Sequence, residues 1–127
     1  MASRSSMLNR PGPLEHIELG PGERKIVLDV DHRVNNCISM CINKEDHTLG
    51  GLMRNQLLRD PGVCFAGYRN PHPLEPRIEV RCQTNETAQG NDGPIIAVHN
   101  ALITLREEAS NVMDQVVAQE AKWAHQA

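Results

Sequence analysis

The sequence predicts an α+β domain, on three observations. Its first two thirds break into short apolar segments of strand length. One amphipathic segment among them carries both a helix-start and a helix-stop signal. Its last third holds an unbroken apolar stripe at helical spacing, wide enough to cover a sheet as well as another helix. At 127 residues the chain is one domain's worth of sequence.

The elements follow in order. Residues 1–13 hold Arg4, Arg10, three serines and no acid. They faintly resemble a transit peptide but are expected to form a disordered tail ending at Pro11-Gly12-Pro13, with a single domain over 14–127. Leu14 to Leu19 alternates apolar and polar residues, as a strand does. Gly20-Pro21-Gly22 is a turn signal, and Lys25 to Val30 reads as the second arm of a hairpin. Cys37 to Ile42 is a third strand, with Ile38, Met40 and Ile42 on one face and Cys37, Ser39 and Cys41 on the other.

A short helix comes next. The Asp46 carboxylate can accept from the free backbone N–H groups of a first turn, which makes it the N-cap. Leu49, Leu52, Met53 and Leu57 form one apolar face. Pro61 disfavours helical geometry at Asp60 and stops the helix there. Gly50 and Gly51 each cost about 1 kcal/mol relative to alanine inside a helix. Such a pair is expected where another element approaches the backbone closely.

Val63–Arg69 and Arg77–Thr84 read as two further strands. Pro71, Pro73 and Pro76 make the segment between them a stiff connection rather than part of a ladder. Asn85–Gly93 is a polar loop. Pro94 suits a first helical turn. Beyond it Ile95, Val98, Leu102, Leu105, Ala109, Val112 and Val116 recur at alternating steps of three and four, and the pattern continues through Gln119 to Trp123. That is the seam of a helix lying along another helix. A helix over about 94–124 spans roughly 45 Å, whereas a compact domain of this size is about 36 Å across. The helix should overhang its own domain, and its exposed apolar stripe should meet a partner.

Composition narrows the function. The formal net charge is −3, from 13 basic and 16 acidic residues, with no Lys/Arg run. Direct sequence-specific nucleic-acid binding, which requires a basic face, is therefore not expected. No apolar run approaches the roughly 20 residues of a membrane span. Cys37, Cys41, Cys64 and Cys82 form no C-x-x-C pair and each sits in an apolar run, so they are expected to be free and buried. The three aromatic residues Phe65, Tyr68 and Trp123 leave the core to aliphatic side chains.

Glu45, Asp46, His47 and His72 are the cluster that could serve catalysis or hold a metal. Acid–base chemistry needs such groups to converge in a pocket, and no H-E-x-x-H pattern is present. No G-x-S-x-G elbow, phosphate loop or dinucleotide fingerprint occurs. No cofactor is expected. A small metal-dependent enzyme using Asp46, His47 and His72 stands as the rival from another class, and a homodimeric binding module as a third possibility.

The run Glu45-Asp46-His47-Thr48-Leu49-Gly50 resembles the signature of the smaller α-like subunits of eukaryotic and archaeal RNA polymerases. The likeness continues through Leu57-Leu58-Arg59-Asp60-Pro61, Phe65-Ala66-Gly67-Tyr68, Pro71-His72-Pro73-Leu74 and Arg81-Cys82-Gln83-Thr84. The letters are most similar to the polymerase II form, with the subunit shared by polymerases I and III as the alternative. The family usually has Asn where this chain has Gly51, and the loop 85–93 is similar to an insertion. The resemblance implies a two-layer fold, an antiparallel sheet backed by the short helix and the long C-terminal one, as in the bacterial α-subunit dimerisation domain. It further implies a non-catalytic nuclear scaffold. Such a scaffold pairs with a larger α-like subunit and offers a platform to the two largest polymerase subunits. On that reading the partner-facing residues are Leu49, Gly50, Leu52, Met53 and Leu57 of the short helix. On the long helix they are Ile95, Val98, Leu102, Leu105, Ala109, Val112 and Val116.

Overall fold

The computed structural model describes residues 12–85 and 93–126. Strands β1 (Ile26–Val30) and β2 (Cys37–Asn43) lead into helix α1 (His47–Arg59). Strands β3 (Val63–Arg69) and β4 (Arg77–Thr84) follow, and helix α2 (Gly93–Gln126) ends the fold. The strands form one sheet in the order β1-β2-β4-β3, every pairing antiparallel. Because β4 pairs with both β2 and β3, those two run parallel with β4 between them. The β2-α1-β3 unit is thus a split crossover, and it lays α1 over the β3–β4 side of the sheet.

One face of the sheet makes the core. Ile38, Met40 and Ile42 of β2 and Ile78, Val80 and Cys82 of β4 are all at most 3% exposed. Met53 and Leu57 of α1 close over them, joined by Ala97, Val98 and Ala101 of α2. The small side chains of Ala97 and Ala101 let α2 lie close to the other elements. Burying one side chain such as Ile78 or Leu57 contributes about 1.5–3 kcal/mol, and aliphatic residues supply nearly all of it.

Local chemistry sets the ends of α1. Asp46 has extended geometry, and its Oδ1 accepts the Thr48 N–H at 2.9 Å. At the other end Asp60 is extended (φ −76°, ψ 120°), as a residue before proline should be. Its carboxylate accepts the Gly62 N–H at 2.8 Å and turns the chain into β3.

Three expectations are corrected. Leu14–Leu19 is a turn and not a strand, with the Ile17 and Glu18 N–H groups both donating to the Leu14 carbonyl. The carboxylate of Glu15 also accepts the Gly12 N–H, and such local bonds compete with a sheet ladder. The hairpin partner of β1 is consequently β2. The cysteines are all free, but only Cys37 and Cys82 are buried. Cys64 lies at a register shift between Val63 and Phe65 and is exposed. The predicted tail lies outside the described residues except for its last two positions, and so does most of the loop 85–93.

Candidate assembly surface

The signature stretch first resolves into structural roles. Lys44 adopts a left-handed conformation (φ 59°) that turns β2 into α1. Glu45 is tied by a 2.8 Å ion pair to Lys25. Asp46 is committed to the cap. His47 Nδ1 lies 3.1 Å from the Tyr68 hydroxyl, with the two rings edge-on. Arg54 places its guanidinium 5.3 Å from the centre of the Tyr68 ring. Thr48 is exposed, Phe65 is half exposed, and Gly67 lies close to the Phe65 ring. In the connection after β3, between exposed Pro71 and Pro73, His72 Nδ1 accepts the Leu74 N–H at 3.3 Å. Asp46, His47 and His72 therefore work with three different neighbours. Among the described residues no group of three His, Cys, Asp or Glu side chains is placed to hold a metal ion.

The two helix glycines differ. Gly50 is buried, and a β-carbon on it would lie 2.6 Å from Tyr68 Cε2. Gly51 faces open space. Close approach thus explains the first, and the approaching element is this chain's own β3. Gly51 packs against no other described element of this chain.

The long helix has two halves. Val98 is 6% exposed and belongs to the core, while Leu102 and Leu105 pack at its edge. From Arg106 onward every described residue is exposed. Arg59 at the end of α1 reaches Glu108 at 3.8 Å, and beyond that pair α2 leaves the body of the domain. Residues 109–126 run on for roughly 27 Å at 1.5 Å per residue. Val112, Val116 and Trp123 line one apolar stripe of this overhang, and Val112 and Val116 are each about 60% exposed. Met113 and Val117 widen it.

The expected partner-facing residues divide accordingly. Met53 and Leu57 are fully buried in the chain's own core, as is Val98, and Gly50 lies beneath Tyr68. In the single chain these four are buried. Leu49, Leu102 and Leu105 sit at the core's rim, and Leu52, Ile95, Ala109, Val112 and Val116 are exposed. Spacing alone cannot separate these sets, because one apolar stripe serves the chain's own sheet first and open solvent afterwards. Sequence reading also missed the exposure of Leu58 and of Ile26, Leu28 and Val30. The outward face of the sheet is mixed, with Asp31–Arg81 and Arg69–Glu79 ion pairs at 2.9 and 2.7 Å beside half-exposed Val27 and Phe65.

Residues 37–115 match the RNA polymerase Rpb3/Rpb11 dimerisation domain. That span runs from the first residue of β2 into the free half of α2. The chain belongs to the Rpb3/Rpb11 dimerisation family. Family relatives include the probable DNA-directed RNA polymerase II subunit RPB11 of Caenorhabditis briggsae, 44% identical over 72% of this chain and 74% of the relative. The RPB11 subunit of Dictyostelium discoideum is 36% identical over 88% of this chain and 90% of its own length. The Caenorhabditis elegans protein is 42% identical over 81% and 80%. The fold matches the crystal structure of RNA polymerase subunit L from Thermoplasma acidophilum, with a TM-score of 0.62 at 19% identity. The match covers 82% of this chain and 98% of that one. The antiparallel sheet with its short and long helices is thus the fold of the Rpb3/Rpb11 family.

Proposed function

We propose that this chain is the smaller α-like subunit of a nuclear RNA polymerase II. It acts as a non-catalytic scaffold that pairs with the larger α-like subunit and helps seat the two largest subunits. The observation that carries this reading is the division of α2, half spent in the chain's own core and half projecting as an apolar stripe. A lone domain gains nothing from a projecting stripe of Val112, Val116 and Trp123, whereas a helix offered by a partner would remove it from water. The dimerisation family of residues 37–115 and the polymerase II names of the relatives support the same reading.

The test is co-purification of the tagged full-length chain. The larger α-like subunit and the two largest subunits of polymerase II should be recovered with it. Val112→Asp together with Val116→Asp should abolish that recovery, because paired residues there would bury unpaired charge. Both positions are solvent-exposed in the single chain, so its own fold should survive. Recovery undiminished by both substitutions sinks the seam. Recovery with the large subunits of polymerases I and III instead assigns the chain to the shared form.

A further inference from the structure

Lysine is scarce in this chain and unevenly placed. Ten of the 13 basic residues are arginine, which leaves Lys25, Lys44 and Lys122. Two of the three are tied into the body of the domain. Lys25 Nζ donates to Glu45 Oε1 at 2.8 Å and to the Lys44 carbonyl at 3.3 Å. The Lys44 side chain is 13% exposed, with Glu23 at 3.9 Å. Lys122 has neither constraint. It is exposed on α2, about 21 Å beyond Glu108 at 1.5 Å per residue. A carboxylate pairs with a helical lysine from three or four positions away. Those positions hold Ala118, Gln119, His125 and Gln126.

Lys122 also stands beside the projecting stripe. Trp123, 76% exposed, is the next residue. Gln115 and Ala118 border the stripe, and Lys122 continues their row at helical spacing.

We propose that Lys122 is the acceptor of this chain for ubiquitin, and that the stripe of Val112, Val116 and Trp123 is the surface by which a ligase holds it. The inference rests on the pairing proposed above, because a partner on the stripe would take the place of the ligase. The chemistry is acyl transfer to nitrogen. The free amine of Lys122 attacks the carbonyl carbon of the thioester that activates the C-terminus of ubiquitin. The C–N bond forms, the C–S bond breaks, and the carrier thiol leaves with the proton from nitrogen. Nothing is oxidised or reduced. Arginine stays protonated in proteins and is no nucleophile here, so the ten arginines do not compete.

Placement favours this modifier over a small acyl group. A small acyl donor needs only an accessible lysine. A protein modifier also needs room for a folded domain and a surface that its ligase can grip. The overhang supplies both, since Lys122 projects clear of the core and an exposed apolar patch is a contact surface. Lys25 and Lys44 lie together at the turn between β2 and α1 and have neither.

The test incubates the full-length chain with ubiquitin, ATP and a cell extract whose proteasome is inhibited. The chain is supplied free and as the reconstituted heterodimer. Trypsin leaves a diglycine remnant on each conjugated lysine, and mass spectrometry maps it. The remnant should fall on Lys122 of the free chain. Lys122→Arg should cut the conjugate by about an order of magnitude, whereas Lys25→Arg with Lys44→Arg should leave it unchanged. Val112→Asp with Val116→Asp should lower it as far with Lys122 still in place, and so should an excess of the larger α-like subunit. Remnants on other amines of the chain, an acetyl group in place of the diglycine, or a free chain left unmodified by an extract that conjugates a control protein overturn the inference. So does full conjugation of the stripe variant. Full conjugation of an intact heterodimer overturns it too, and leaves the proposed function standing. Failure of the unsubstituted chain to pair overturns the proposed function, while the remnant on the free chain still decides the acceptor.

Discussion

The ring of Tyr68 occupies the space that a β-carbon on Gly50 would need. Three ring atoms, Cδ2, Cε2 and Cγ, would lie inside contact distance of it. Since Cγ is next to the backbone, the ring cannot yield without leaving Arg54 and His47. Gly50→Ala should therefore destabilise the fold by about 1–2 kcal/mol, the crowding outweighing the helix gain. Gly51→Ala, in open space, should stabilise it by up to about 1 kcal/mol. Denaturant midpoints of the two variants should move in opposite directions.

Asp46→Ala removes the carboxylate that accepts the Thr48 N–H. It should cost about 1 kcal/mol, and Asp46→Asn should recover most of that. A thermal melt reads the difference. An effect many times larger, unrecovered by asparagine, would show that the carboxylate does more than cap a helix.

Met53 and Leu57 are enclosed by this chain alone. Met53→Ala and Leu57→Ala should each cost about 2–5 kcal/mol in the free chain. Leu52→Ala, half exposed beside them, should change stability by no more than about 0.5 kcal/mol. Unfolding of the isolated chain would expose an error here, since residues buried only by a partner would leave its stability unchanged.

The cysteines should react unequally. Burial, chiefly, holds the Cys82 thiol up at about 11 against an ordinary 9.0, with neighbouring Cys37 and Cys64 adding to the shift. Cys82 stays a protonated thiol near neutrality and should resist alkylation, whereas exposed Cys64 should be modified first. The folded state holds the Cys82 proton more tightly than the unfolded state does. Its contribution to stability is therefore complete below about pH 9 and is lost as pH rises through about 11. Site-resolved alkylation and an alkaline unfolding series check both statements.

Much of this fold was legible in the sequence, for physical reasons. The prolines and the Asp46 cap act within one turn of chain, so α1, β3 and β4 could be placed by local chemistry. The alternation of Ile38, Met40 and Ile42 named the core face of β2 because a strand has only two faces. Leu14–Leu19 misled because its apolar residues, at 14, 17 and 19, mix spacings of three and two. A local turn satisfied its backbone before any strand could.

The assembly surface was harder to read. Val98 and Val112 stand at equivalent points of one stripe, yet the first is buried and the second exposed. What separates them is where the sheet ends, a tertiary fact that periodicity does not carry. The exposure of Leu28 escaped for the same reason. Its apolar face is ordinary for a strand, and only the position of the helical layer shows that it lacks a cover.

The length of α2 past Glu108 also bears on how long an unpaired copy would last. Without tertiary packing a helix of this size is marginal in water, so the final turns of an unmated chain open readily, with Trp123 and the valines accessible. Proteases act on such openings. A partner that covers the stripe would close them and, by mass action, stabilise each paired copy. On the proposed pairing, copies made in excess of the partner should be the ones that proteases remove.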